Sequence, residues 1–123
     1  MLKGLRTIVY KVPDLARAKA WYSLALGQPP YFDEPFYVGF SVGGFELGLD
    51  PDAPVTQGPG GVHAFWGVDN VETAYAHFLA MGAQAHESPH EVGGGIKLAT
   101  VMDPFGNILG LILNPHFDPS TVR

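Results

Sequence analysis

The sequence predicts an α+β fold built from two tandem βαβββ modules. Three observations carry that expectation. Val12-Pro13-Asp14-Leu15, leading into Ala18 and Tyr22, recurs as Val68-Asp69-Asn70-Val71, leading into Ala74 and Phe78. One spacing relates Val12 to Val68, Leu15 to Val71, Ala18 to Ala74 and Tyr22 to Phe78. A slightly longer spacing relates Glu46-Leu47-Gly48-Leu49-Asp50-Pro51 to Gly110-Leu111-Ile112-Leu113-Asn114-Pro115. A unit repeated at this length is a supersecondary module that buries its apolar face against its copy. Finally, 16 glycines and 11 prolines are too many for a helical chain and suit short strands with frequent turns.

Each element follows in order. Leu5 to Val12 is β-branched and aromatic, and Pro13 ends it, so it reads as a strand. Asp14 is placed to cap a helix whose apolar positions are Leu15, Ala18, Tyr22 and Ala25, with Gly27 as its stop. Pro29 to Asp33 is a short extended stretch. Phe36 to Val42 and Phe45 to Leu49 form a hairpin turning at Gly43-Gly44. Residues 52–60 lack periodicity and read as the linker between module one (5–51) and module two (61–115), within a single domain spanning 1–123. Val62 to Val68 is the next strand. Asp69 or Asn70 caps the second helix, whose face is Val71, Ala74, Tyr75 and Phe78 and whose stop is Gly82. Gln84 to Ser88 is a short strand, and Gly93-Gly94-Gly95 a loop. Lys97 to Met102 and Ile108 to Leu113 are strands around the turn Asp103-Pro104-Phe105-Gly106-Asn107.

Composition narrows the function. An apolar fraction of 46% with 15% charged residues describes a globular chain. The net charge of −5 and seven scattered Lys and Arg residues speak against a nucleic-acid partner. Absence of cysteine removes disulfides, thiolate metal sites and a Cys nucleophile. No run approaches a bilayer's thickness, and Met1-Leu2-Lys3-Gly4 does not open a signal peptide, so a cytoplasmic protein without a membrane partner is expected.

The order Val12-Pro13-Asp14-Leu15, Trp21-Tyr22, Leu26-Gly27, Gly61-Val62-His63, Val68-Asp69-Asn70-Val71 and Asp103-Pro104-Phe105-Gly106-Asn107 resembles the vicinal oxygen chelate superfamily. That superfamily includes glyoxalase I, bleomycin-resistance proteins and extradiol dioxygenases. The resemblance covers roughly residues 5 to 114. It implies a cupped sheet around a ligand cavity with the helices outside, and a homodimer. It also implies four metal-ligand positions, one on the first and one on the last strand of each module. Those positions hold Thr7, Glu46, His63 and Gly110. Glu46 and His63 keep ligand chemistry, whereas Thr7 offers a neutral hydroxyl and Gly110 no side chain. A catalytic divalent ion usually takes three protein ligands. No tightly bound cofactor is therefore expected, and a weakly held Zn, Ni, Mn or Fe would need substrate oxygens to complete its shell.

The candidate catalytic residues are His63 and Glu46. Strand alternation puts His63, Phe65 and Gly67 on one face and Val62, Ala64, Trp66 and Val68 on the other. His63 then looks into the cavity, as acid/base group or merely as a hydrogen-bonded histidine. Glu46 shares its face with Gly48 and Asp50, and pairing with His63 would offset its desolvation. The pocket is expected to be lined by Thr7, Val9, Phe36, Phe40, Phe65, Gly110 and Ile112. His90, Glu91 and the Gly93–Gly95 loop form either a lid or an ordinary loop. Besides a bare interaction module whose cavity is vestigial, two functions stay open. One is a glyoxalase- or dioxygenase-like enzyme of isomerase, lyase or ring-opening chemistry, distinct from glyoxalase I, acting on a small molecule. The other is a non-catalytic, bleomycin-resistance-like protein that binds an aromatic or cationic small molecule.

Overall fold

The first strand stops two residues before Pro13, and Asp14 caps the first helix. The computed structural model describes residues 3–122. Met1, Leu2 and Arg123, included in the expected domain, lie outside the described residues. The elements run β1 (Thr7–Lys11), α1 (Leu15–Leu26), β2 (Phe32–Glu34), β3 (Tyr37–Val42), β4 (Phe45–Asp50), β5 (His63–Gly67), α2 (Val71–Ala80), β6 (Gln84–Gly93), β7 (Ile96–Met102) and β8 (Ile108–Leu113), then a short 3-10 turn at Pro119–Thr121. The βαβββ unit therefore occurs twice, as the repeat predicts. The chain forms two compact units. One runs to Val55 and takes back the chain from Pro119; the other is Thr56–Asp118.

In the first unit the sheet order is β1-β4-β3-β2, with β1 parallel to β4 and the rest antiparallel. Helix α1 starts because the Asp14 side chain accepts from Arg17 N at 3.1 Å, satisfying one of the amides that a helix leaves unpaired. It stops at Gly27, which takes a left-handed φ of 67° that a side chain would resist. Tyr10, Val12, Ala18, Tyr22, Val38, Phe40, Leu47 and Leu49 are buried in this unit. The Tyr10 and Tyr22 rings pack with centroids 6.2 Å apart. Gly43 and Gly44, at φ 57° and 89°, make the tight β3–β4 turn.

The second unit repeats the order as β5-β8-β7-β6. Asn70, rather than Asp69, caps α2, accepting from Thr73 N at 2.8 Å. Val71, Ala99 and Leu111 form its core, with Val68, Ala74, Tyr75 and Phe78 packed against them. The Asp103 carboxylate is buried and accepts from Phe105 N at 2.9 Å and Asn107 N at 2.8 Å, which fixes the β7–β8 turn. Gln57 of the expected linker donates to Phe105 O at 2.6 Å, and Gly58 N donates to Gly106 O at 2.8 Å, so the linker is tied to that turn.

One expectation changes here. Strand β6 does not stop at Ser88 but continues to Gly93, absorbing register shifts on the way. His90 pairs with Leu98 and Glu91 with Lys97, so neither belongs to a lid. Only Gly94 and Gly95 make the turn. No helix among the described residues is long and apolar enough to cross a membrane.

Candidate functional site

Alternation along β4 sends Leu47 and Leu49 into the core and leaves Glu46, Gly48 and Asp50 on the opposite face. The flanking strands decide what surrounds Glu46. On one side Thr7 of β1 sits directly opposite it. On the other, β3 sets Ser41 opposite Glu46 and Gly39 opposite Gly48. Two glycines facing each other leave a bare patch of main chain. Tyr37, two residues before Gly39 on the same face of β3, lies across that patch. A Cβ added at Gly48 would collide with the Tyr37 hydroxyl. One added at Gly39 would meet Glu46 Oε2 at 2.9 Å and the Tyr31 ring at 3.3 Å. The glycine floor is thus the reason that the phenols reach the carboxylate.

Tyr37 donates its hydroxyl to Glu46 Oε1 at 2.7 Å, and Tyr31 donates to Oε2. Tyr31 is itself held by its amide, which donates to Gly39 O at 3.0 Å. The Thr7 hydroxyl also hydrogen-bonds Glu46. Partial desolvation pushes the Glu46 pKa up. The three hydroxyls from Tyr31, Tyr37 and Thr7 together outweigh it and hold the carboxyl below its usual 4.5. The tyrosines move the opposite way. Burial and then the bond to Glu46 raise Tyr37 strongly, and the bond to Glu46 raises the exposed Tyr31.

Around this carboxylate lies an open pocket of about 360 Å³ lined by Tyr31, Phe32, Phe36, Tyr37, Glu46 and Asp50. Four of the six are aromatic and two are acidic; none is basic. Phe32 meets Phe36 edge-on at 6.3 Å and Tyr37 edge-on at 6.0 Å.

In the second unit His63 stands opposite Ile108 on β8, and its exposed ring donates through Nε2–H to Pro59 O at 2.6 Å. Gly110 stands opposite Phe65 instead. By strand register the counterpart of Glu46 in this unit is therefore Ile108, which is buried, and Gly110 is the counterpart of Gly48. The Phe65 ring fills the space over Gly110, where a Cβ would meet Cδ1 at 2.5 Å and Ala64 O at 2.8 Å. Ile112 is opposite Gly67.

Of the expected residues, the structure joins Thr7 to Glu46 directly, with Val9 beside them opposite Gly48, and brings Phe36 to the same pocket. It joins Phe65 to Gly110. Phe40 is a correction: it is fully buried, not a pocket wall. Strand β3 begins at Tyr37, so Phe36 belongs to the preceding turn and the pocket face reads Tyr37, Gly39, Ser41. Phe40 then alternates inward with Val38. Tyr31, Phe32 and Tyr37 were not singled out by the sequence. The signal for Tyr37 was present in the pair Gly39 and Gly48, an open floor on the face carrying Glu46.

A divalent ion does not fit what these residues offer. Both Glu46 oxygens already accept phenol hydroxyls. His63 presents a protonated Nε2 to a carbonyl. Gly110 has no side chain and no room for one. Among the described residues no group of three or more His, Asp or Glu side chains is placed to hold a metal.

Solved structures share the fold. A glyoxalase-related enzyme from Fulvimarina pelagi aligns with a TM-score of 0.74 at 23% identity, covering 93% of this chain and 90% of that one. A lactoylglutathione lyase from Agrobacterium tumefaciens gives 0.73 at 22%, covering 91% and 94%. A genomically encoded fosfomycin resistance protein from Listeria monocytogenes gives 0.72 at 14%, covering 94% and 97%. No curated protein matches the chain. The sequence model of the glyoxalase/bleomycin resistance protein/dioxygenase superfamily matches residues 4–111, and with most of its length so matched the chain belongs to that superfamily.

Proposed function

We propose that this chain is a non-catalytic binding protein of the bleomycin-resistance type, whose pocket in the first unit takes an organic cation with an apolar body. The observation that carries this reading is the Glu46 carboxylate at the base of aromatic walls, with Asp50 on the same face and no basic residue in the lining. A carboxyl held below its usual pKa is fully charged at neutral pH and is a weak base. Phenols raised above theirs are weak acids. Such a trio holds charge well and moves protons poorly. Aromatic faces add about 0.5–2 kcal/mol for a cation seated against them.

Titration calorimetry against matched organic cations, neutral isosteres and anions tests this. Cations should bind, and Glu46→Gln should weaken them at least tenfold while preserving the folded state. Equal affinity for cations and their neutral isosteres would remove the reading.

A second reading keeps catalysis, with His63 as the acid/base group. Its support is the exposed imidazole, whose Nδ1 is not engaged by the Pro59 bond. It requires that His63→Ala abolish turnover of a substrate found by screening. The superfamily resemblance further supports a cytoplasmic location and a homodimer, and sedimentation equilibrium reads the homodimer directly.

A further inference from the structure

The geometry points to one class of cation: we propose that the pocket selects a quaternary ammonium, or another cation without N–H donors, over a primary amine of the same shape. This rests on the cation-binding reading above and narrows it.

The argument turns on hydrogen-bond capacity. A primary ammonium brings three N–H donors and, on leaving water, needs acceptors for them. Glu46 is the natural acceptor, yet of its roughly four lone-pair sites three are taken, by the hydroxyls of Tyr37 at 2.7 Å on Oε1, of Tyr31 on Oε2 and of Thr7. A primary ammonium finds about one free site on Glu46 for its three donors and must share Asp50, which already accepts from Asp52 N at 2.8 Å, displace a phenol or keep donors in water. A quaternary ammonium has no donor to satisfy. It needs only negative potential and polarisable surface, and both are present. The carboxylate keeps its charge behind the phenols. Phe32 stands at 71° to Phe36 and at 69° to Tyr37, so the rings form walls at steep angles rather than a flat stack. Tyr31 and Phe36 are each 64% exposed and Phe32 39%, so these surfaces are open to a guest. Exposed aromatic surface of this extent beside a fixed charge is the arrangement that recognises methylated ammonium groups. The glycines at 39 and 48 keep the phenols on the carboxylate and so maintain the preference.

The test uses the full chain and three probes of one skeleton: choline, ethanolamine and 3,3-dimethylbutan-1-ol. They carry a quaternary ammonium, a primary ammonium and an uncharged tert-butyl group. Dissociation constants come from amide chemical-shift titrations. The expected result is choline binding about tenfold more tightly than either other probe, with shifts at Tyr31, Phe36, Tyr37 and Glu46; tenfold corresponds to about 1.4 kcal/mol. Ethanolamine binding as well as choline would overturn this inference and leave the cation reading standing. The alcohol binding as well as choline, or no probe binding, would overturn both. Tyr37→Phe supplies the second arm. It frees Glu46 Oε1, so ethanolamine should gain several-fold against choline; an unchanged ratio would overturn the proposal.

Discussion

At Gly48 a single methyl group should displace a whole side chain. The Tyr37 hydroxyl occupies the space that a Cβ would claim. Gly48→Ala is expected to cost about 1–3 kcal/mol through overpacking, read by chemical denaturation, and to weaken cation binding as well. The same trio predicts how the protein titrates. The hydroxyls hold Glu46 below 4.5, so binding should hold steady from neutral pH downward and fade with a midpoint below that value. A midpoint at or above the ordinary Glu value would contradict the hydroxyl network. Tyr31 and Tyr37 are raised, and a raised folded pKa contributes stability that is present below pH 10 and lost as pH climbs through the folded value. Absorbance titration should show Tyr37 among the late phenols, and Tyr37→Phe should remove one late phenol. Thr7 was legible as a pocket residue, whereas the two phenols of Tyr31 and Tyr37 were not. Their roles depend on where β3 begins, and a shift of one residue exchanges Tyr37 for Phe36 and brings Phe40 wrongly to the surface.

At the scale of elements the sequence was far more explicit, because caps and turns are local. Asp14, Gly27, Asn70 and the Gly43-Gly44 turn each do what their residue type dictates. Asp14→Ala should cost about 0.5–2 kcal/mol, the usual loss of a helix cap. Asp103→Ala should cost more. Its carboxylate is buried and serves two amides at once, so removal strands donors away from water at about 1–3 kcal/mol each. Thermal unfolding of both variants checks the order, and equal losses would contradict it. Strand β6 was legible only in its first half. Its continuation past Ser88 depends on pairing with β7, and Pro89 within it gives no local sign of a strand.

For the whole molecule, repetition is both the strongest clue and an inexact one. The two units share element order, yet their closing strands differ in register. Thr7 faces Glu46, whereas His63 faces Ile108. A sequence repeat aligns Glu46 with Gly110; hydrogen bonding aligns Gly48 with Gly110. That offset is invisible before strands pair, which is why the register counterpart of Glu46 in the second unit is Ile108 and not Gly110. Adding one equivalent of Zn, Ni, Mn or ferrous iron should therefore leave the melting temperature unchanged within a degree or so, with little metal retained after desalting. Stoichiometric retention lost in His63→Ala would show that donors outside this arrangement complete a site.

Strand β6 has a consequence for how the chain behaves in a crowd. It ends its sheet with an exposed edge of ten residues, and unprotected edges recruit strands from other chains. Here Pro89 withholds a donor, the register shifts break the ladder, and Glu87 and Glu91 place charge along it. A strand approaching from outside finds no continuous row of donors and acceptors to copy. Among the described strands this longest edge is thus a dead end for fibril growth, and the protein should stay dispersed at concentrations where a smooth edge of that length would aggregate.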